Sequence, residues 1–332
     1  MTTTDKRATA ILNWLTNDIS LDVRSFEMAS SDASFRRYFR LHDAQESYIV
    51  MDAPPDKEAI TPFINVAMLL KKAGVNVPTI YHQNVPQGFL VLTDFGSTCL
   101  LDQLDNENAD ERYQLALDEL FKLQSTVIAT YPTPLPYYDK ALLTNELSLF
   151  YDWFTQQLMG KTIPVPLQHD LNTLLIDSAL EQPQVCVHRD YHSRNLMVVD
   201  STSLGVIDFQ DAVIGAITYD LVSLLRDCYI AWPPERLEGW LKSYYQRLVD
   251  DEMLKVSFDT FQRWFDLMGL QRHLKVLGIF SRLYLRDNKA SYLADIPQTM
   301  AYVEQICQRY SELTEFYRWL NHEILPTYQQ KL

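Results

Sequence analysis

V-C-V-H-R-D-Y-H-S-R-N-L-M-V-V-D, residues 185–200, decides the fold. A short apolar strand ends at His188, a polar loop runs to Asn195, and another apolar strand follows. Asp208 then closes the strand L-G-V-I-D-F, so Asp190, Asn195 and Asp208 all sit on loops beside short strands. Carboxylate and amide oxygens suit a hard cation such as Mg²⁺, which prefers oxygen ligands and is commonly shared with substrate phosphates. Two of the three side chains can serve that purpose, which leaves one carboxylate to orient a hydroxyl nucleophile. His188 and His192, four apart, do not read as a zinc pair, because that pattern needs a helix carrying Glu and this segment reads as loop. His188 reads instead as structural, its ring bonded to backbone. Asp220 reads as the cap of a helix that starts beside it.

On the N-terminal side the hydrophobic period changes twice. Ala8, Ile11, Leu12 and Leu15 share a helical face. Phe35, Arg37, Phe39 and Leu41 then alternate with Ser34, Arg36, Tyr38 and Arg40, as in a strand. S-Y-I-V-M-D (47–52) reads as a strand, P-P-D-K-E opens a helix to about Lys72, and V-P-T-I-Y-H (77–82) and G-F-L-V-L-T (88–93) read as two more strands. On the C-terminal side the pattern is mostly helical, over about 108–129, 139–159, 166–181 and from Tyr219 onward. The proline-rich Y-P-T-P-L-P-Y-Y (131–138) reads as an ordered loop between the first two of these helices. The expected class is α+β, with a small antiparallel β-rich lobe over 1–95 and a larger helical lobe over 96–332.

Composition removes several functions. There are 9 glycines in 332 residues and none before Gly74, so neither G-x-G-x-x-G nor a Walker G-x-x-x-x-G-K-[ST] can be built. Lys+Arg of 29 against Asp+Glu of 43 leaves a net charge of -14, which opposes a nucleic-acid partner. The 4 cysteines form no C-x-x-C and suggest a reducing cytoplasm. No apolar run is long enough for a membrane span, and the N-terminus lacks the apolar core of a signal peptide, so a cytoplasmic location is expected. Oligomeric state leaves no mark in the sequence.

H-R-D-Y-H-S-R-N with I-D-F at 207–209 resembles the core of protein-kinase-like phosphotransferases, in which H-R-D-L-x-x-x-N precedes a metal-binding D-F-G. His192, V-I-D-F-Q-D-A and Y-D-L (219–221) make the chain more similar to the aminoglycoside phosphotransferase family than to protein kinases. That resemblance spans about 25 to 290 and implies a two-lobe kinase-like fold using ATP and Mg²⁺. It assigns the base to Asp190 and the metal to Asn195 and Asp208. S-D-A-S-F-R-R-Y-F-R, Y-I-V-M-D-A-P-P and F-S-R-L-Y-L-R-D-N-K-A-S-Y-L-A-D-I-P (280–297) look like the narrower group of bacterial N-acetylmuramate/N-acetylglucosamine kinases. The resemblance thus implies phosphorylation of an amino sugar's anomeric hydroxyl in cell-wall recycling. His192, Arg194, Asp211, Arg282 and Arg286 are the candidates for the sugar side. A kinase of another small hydroxyl compound, of aminoglycoside, choline or homoserine type, would share the catalytic residues.

By the same resemblance the nucleotide loop lies at 29–38, where A-S-S-D-A-S-F-R-R-Y stands in place of glycines. Ser31, Asp32, Ser34, Arg36 and Arg37 are the candidates there, guanidinium groups being good phosphate ligands. The hinge that receives adenine falls at L-T-D-F-G (92–96), giving Thr93, Asp94 and Phe95. Glu58 matches the glutamate that pairs with a strand lysine, yet the strand offers only Met51 or Asp52. An arginine of 36–40 is the expected replacement, with Lys57 as the alternative; a nucleotide-binding pseudokinase is the reading if neither serves.

Overall fold

Asp5 starts the first helix, α1 (Lys6–Asn13): its carboxylate accepts from the N–H groups of Arg7 and Ala8, both at 3.1 Å. The apolar face of this segment is buried. Ile11, Trp14 and Leu15 pack with Phe39, Leu41, Val50, Phe89 and Val91 of a five-stranded sheet. The sheet and its one helix comprise β1 (Ser25–Ser31), β2 (Arg37–His42), β3 (Ser47–Asp52), α2 (Thr61–Lys72), β4 (Ile80–Asn84) and β5 (Phe89–Thr93). The strands run in the order β1-β2-β3-β5-β4, every pair antiparallel. Burial of Phe39 and Leu41 in β2 follows the alternation in the sequence.

Several boundaries differ from those expected: β2 starts at Arg37 and β4 at Ile80, each about three residues late. β1 is an additional strand, whose S-F-E-M-A-S-S carries too little apolar alternation to be recognised. The helix expected from Pro54 begins only at Thr61, because the N–H groups of Lys57 and Glu58 both turn back to the Pro54 carbonyl. The computed structural model describes residues 5–31, 35–126 and 135–331; residues 131–134 of the proline-rich segment lie outside them. It separates into two compact units, residues 1–103 with 195–211, and 104–194 with 212–332.

The second unit contains α3 (Ala109–Thr126), α4 (Lys140–Leu149), whose winding continues to Leu158, and α5 (Val165–Leu180). Four short strands follow: β6 (Gln184–Val187), β7 (Leu196–Val198), β8 (Leu204–Val206) and β9 (Val213–Ala216). β6 pairs with β9, and β7 with β8. The β7–β8 hairpin belongs to the first unit, where the Val206 N–H bonds Asn76 O at 2.8 Å and the Asn76 amide donates to Leu204 O at 2.9 Å. In the second unit come α6 (Tyr219–Leu225), α7 (Pro234–Asp250), α8 (Phe258–Asp287) and α9 (Ile296–Arg309).

α8 organises the second unit. It is 30 residues long and buried around most of its circumference, as a helix at the centre of a large domain must be. Gly278 permits this, since a Cβ there would lie 2.3 Å from the Leu149 carbonyl carbon of α4. Inside this apolar helix Gln271, Arg272, His273 and Lys275 are all buried. No helix among the described residues is long and apolar enough to cross a membrane.

Candidate active site

β6 delivers the chain to the loop His188–Arg194, which buried carboxylates hold in place. Asp220 of α6 accepts from the backbone N–H of His188 at 2.6 Å and of Arg189 at 3.0 Å. It therefore clamps the loop rather than capping its own helix, because it faces back across the unit and is 0% exposed. Burial pushes its carboxyl up to about 6, against the opposing pull of His188 and the two N–H bonds. Asp227 accepts from the Ser193 N–H at 2.9 Å and from its hydroxyl at 2.5 Å. Between these anchors Arg189 takes φ 79°, a left-handed conformation uncommon outside glycine. The Asp190 N–H meets His188 Nδ1 at 3.3 Å, and Tyr191 donates to Ala116 O at 2.8 Å. A loop restrained at this many points presents Asp190 in one conformation.

The surroundings of Asp190 determine its charge. Burial alone would raise its carboxyl, but Lys275, His192, Arg272 and His188 outweigh it and bring the pKa down to about 2. Lys275 reaches in from α8 and bonds Tyr219 Oη and Glu146 Oε1, each at 3.0 Å. Glu146 of α4 also receives Arg189 Nη2 at 2.6 Å, and the Tyr138 hydroxyl donates to it. Asp190 is consequently a carboxylate throughout the neutral range. The pH profile of kcat is expected to show no acid limb from Asp190 between about pH 5 and 8. A limb in that window that moves in Lys275→Met would contradict this.

In the first unit Asn195 and Asp208 are brought together. Asn195 Nδ2 lies 3.3 Å from Asp208 Oδ2, and the Ile207 N–H bonds the Asn195 carbonyl at 3.1 Å. Asp208 has φ 64°, again left-handed. Gln210, which stands where D-F-G has glycine, donates from Nε2 to Asp208 Oδ1 at 2.9 Å, while its own Oε1 is buried without a partner. Phe209 packs against Phe63 of α2 with ring centroids 4.9 Å apart.

The arginines of the first unit divide by partner. Arg36 is buried and pairs with Glu58 at 2.5 Å. Arg37 binds Asp52 at 2.6 Å and also pairs with Asp5, while Arg7 meets the other Asp52 oxygen. Arg40 grips Asp94 with two bonds, at 2.7 and 3.0 Å. Lys57 is largely exposed beside Asp56. Thr93 Oγ1 accepts from the Thr79 N–H at 3.0 Å, and Phe95 covers the open face of Gly205. Ser31 ends β1 opposite Arg37, whereas Asp32 and Ser34 lie outside the described residues.

Of the residues expected to serve the sugar, Arg194 lies over the Tyr229 ring, 3.6 Å from its centroid, and His192 approaches the same ring edge-on at 5.3 Å. Burial lowers the His192 pKa below the usual histidine value, against the opposing pull of Asp227 and Asp190. Arg286 is bound to its neighbour Asp287 at 2.7 Å, Arg282 is half-buried, and Asp211 is exposed. Glu146, Asp227, Tyr229, Arg272 and Lys275 escape the sequence reading. The one available signal is R-H-L-K (272–275) inside an otherwise apolar helix, since a buried cation needs a nearby anion.

Residues 25–254 match a protein family described as phosphotransferase enzyme family. The chain is similar to an N-acetylmuramate/N-acetylglucosamine kinase of Pseudomonas putida, 45% identical over 295 residues that cover 88% of this chain and 86% of that protein. A protein of the same name from Neisseria meningitidis is 39% identical over 327 residues, 95% of each. Among solved structures, choline kinase LicA from Streptococcus pneumoniae matches with a TM-score of 0.64 at 14% identity, over 90% of this chain and 99% of that one. ADP-bound aminoglycoside phosphotransferase APH(2'')-Ib matches with a TM-score of 0.60 at 15% identity, over 91% and 99%. The fold is thus the kinase-like α+β one.

Proposed function

The chain belongs to the phosphotransferase enzyme family, and from that premise we propose that it transfers the terminal phosphoryl group of ATP to the anomeric hydroxyl of N-acetylmuramate or N-acetylglucosamine. The products are the sugar 1-phosphate and ADP, formed in the cytoplasm during recycling of cell-wall sugars. One observation carries the choice of acceptor: relatives bearing that name share identity along nearly the whole chain. In this reading residues 1–95 serve the nucleotide, with adenine received by backbone groups of 92–96, and residues 96–332 serve the acceptor.

Asp190 aligns the sugar hydroxyl for in-line attack and accepts its proton late. A carboxylate held near pKa 2 is a weak base, but an anomeric hydroxyl is more acidic than an ordinary alcohol and phosphoryl transfer depends mainly on positioning and charge. The oxygen donors of Asn195 and Asp208, with the orphaned Gln210 Oε1 beside them, fit a hard cation. Asn195 and Asp208 would hold Mg²⁺, which when bound neutralises charge on the transferring phosphates.

Arg36 takes the place of the absent strand lysine. It is the arginine that pairs with Glu58, whereas Arg37 and Arg40 are committed to Asp52 and Asp94. Arg36→Ala should raise the ATP KM or lower turnover about 10- to 100-fold, with Arg36→Lys recovering part of the loss. Arg37→Ala should chiefly lower the melting temperature. Equal, small kinetic effects of Arg36→Ala and Arg37→Ala would remove the assignment. The acceptor is tested by incubating the enzyme and ATP with N-acetylmuramate, N-acetylglucosamine, choline, homoserine and an aminoglycoside. Transfer to the first two is expected, and transfer to another acceptor alone would replace this reading.

A further inference from the structure

We propose that Arg194, laid across the ring of Tyr229, is the subsite for the carboxylate that N-acetylmuramate carries and N-acetylglucosamine lacks. This rests on the proposed function, and it names the residue that separates the two sugars.

The stack is built into the catalytic loop. Tyr229 donates its N–H to Asp227 Oδ1 at 3.0 Å, while Asp227 Oδ2 holds both the N–H and the hydroxyl of Ser193, the residue before Arg194. One carboxylate, 1% exposed, thus fixes the backbone on both sides of the Arg194–Tyr229 contact. His192 touches the same ring, and its Nδ1 is buried without a partner. Behind the stack, the buried Phe280 packs 6.4 Å from Tyr229 and 5.3 Å from Tyr292, which braces the Tyr229 ring.

Arg194 differs from other arginines of its unit. Arg189, Arg226 and Arg286 each pair with a carboxylate, whereas Arg194 is exposed and makes no ion pair or side-chain hydrogen bond among the described residues. Asp295 senses its charge, which partly offsets the rise that burial imposes on that carboxyl, without closing into a salt bridge with it. A guanidinium with one face on an aromatic ring keeps its N–H edge available, and that edge matches a carboxylate in bidentate fashion. N-acetylmuramate is N-acetylglucosamine bearing a lactyl ether, so its carboxylate is the group such an edge would select.

The test compares kcat/KM for the two sugars in wild-type enzyme, Arg194→Gln and Arg282→Gln, with the lactamide of N-acetylmuramate as a neutral probe. Arg194→Gln should lower kcat/KM for N-acetylmuramate about 10- to 100-fold, and change that for N-acetylglucosamine less than about threefold. Wild-type enzyme should discriminate against the lactamide by a similar factor, and Arg194→Gln should not. Equal losses on both sugars, or a selective loss in Arg282→Gln instead, would overturn the proposal. Wild-type enzyme phosphorylating neither sugar would remove the underlying functional reading, and that result is visible before any variant is made.

Discussion

Asp190→Asn should lower kcat about a thousandfold while the protein remains folded. The amide keeps the shape of the side chain, and the loop is anchored through Asp220 and Asp227 rather than through residue 190. What is lost is the acceptor for the hydroxyl proton and the orientation of the nucleophile, contributions worth about 10² to 10⁴ in rate. There is a smaller cost in stability. The carboxyl is held at about 2, below its ordinary 3.8, by the buried cations facing it, so its charge contributes on the order of 2 kcal/mol at neutral pH. Because the folded-state value is the lower one, that contribution is present above about pH 4 and is lost as the pH falls towards 2. Steady-state kinetics with a thermal melt separates the two effects. Turnover within tenfold of wild type would exclude Asp190 as the catalytic base.

Glu146→Gln should cost about 3–5 kcal/mol of stability, the largest effect expected from a single conservative change outside the loop. Glu146 is 4% exposed and is shared by Lys275 and Arg189, with Tyr138 and Gln271 as further partners. Removing its charge takes the ion-pair partner from the buried Lys275 and from the half-buried Arg189. Since burial is outweighed by Lys275 and Arg189 and the Glu146 carboxyl sits below its ordinary range, the gap to wild type should narrow as the pH falls beneath that range. Adding Lys275→Met to Glu146→Gln should cost less than the sum of the single changes, because the second removes one of the uncompensated charges. Urea denaturation of the four proteins gives the coupling energy. A Glu146→Gln variant within about 1 kcal/mol of wild type would mean that the network does not bear on the fold.

The parts of the site that lie close together in sequence are legible in it. Asn195 and Asp208 flank one hairpin, so their meeting at 3.3 Å is legible from spacing alone. The helices now seen at Ala109–Thr126 and Val165–Leu180 are legible because their apolar residues recur at the helical period. Glu146 and Lys275 are not legible, since α4 and α8 bring them to the loop from distant parts of the chain and each looks like an ordinary surface charge until the packing is known. β9 escapes for a related reason: V-I-G-A is buried at every position and so lacks the alternation of a half-exposed strand. The arginines at 36, 37 and 40 are indistinguishable as letters. Only the carboxylate each one meets separates Arg36 from the two that brace the sheet.

The most direct measurement is the position of phosphate on the product. Enzyme, Mg²⁺, ATP and N-acetylmuramate are mixed, and the product is read by phosphorus-31 and proton NMR. A single sugar phosphate whose phosphorus couples to the anomeric proton is expected, formed in step with ADP. Phosphate on any other oxygen, or ATP consumed with the sugar unchanged, would contradict it.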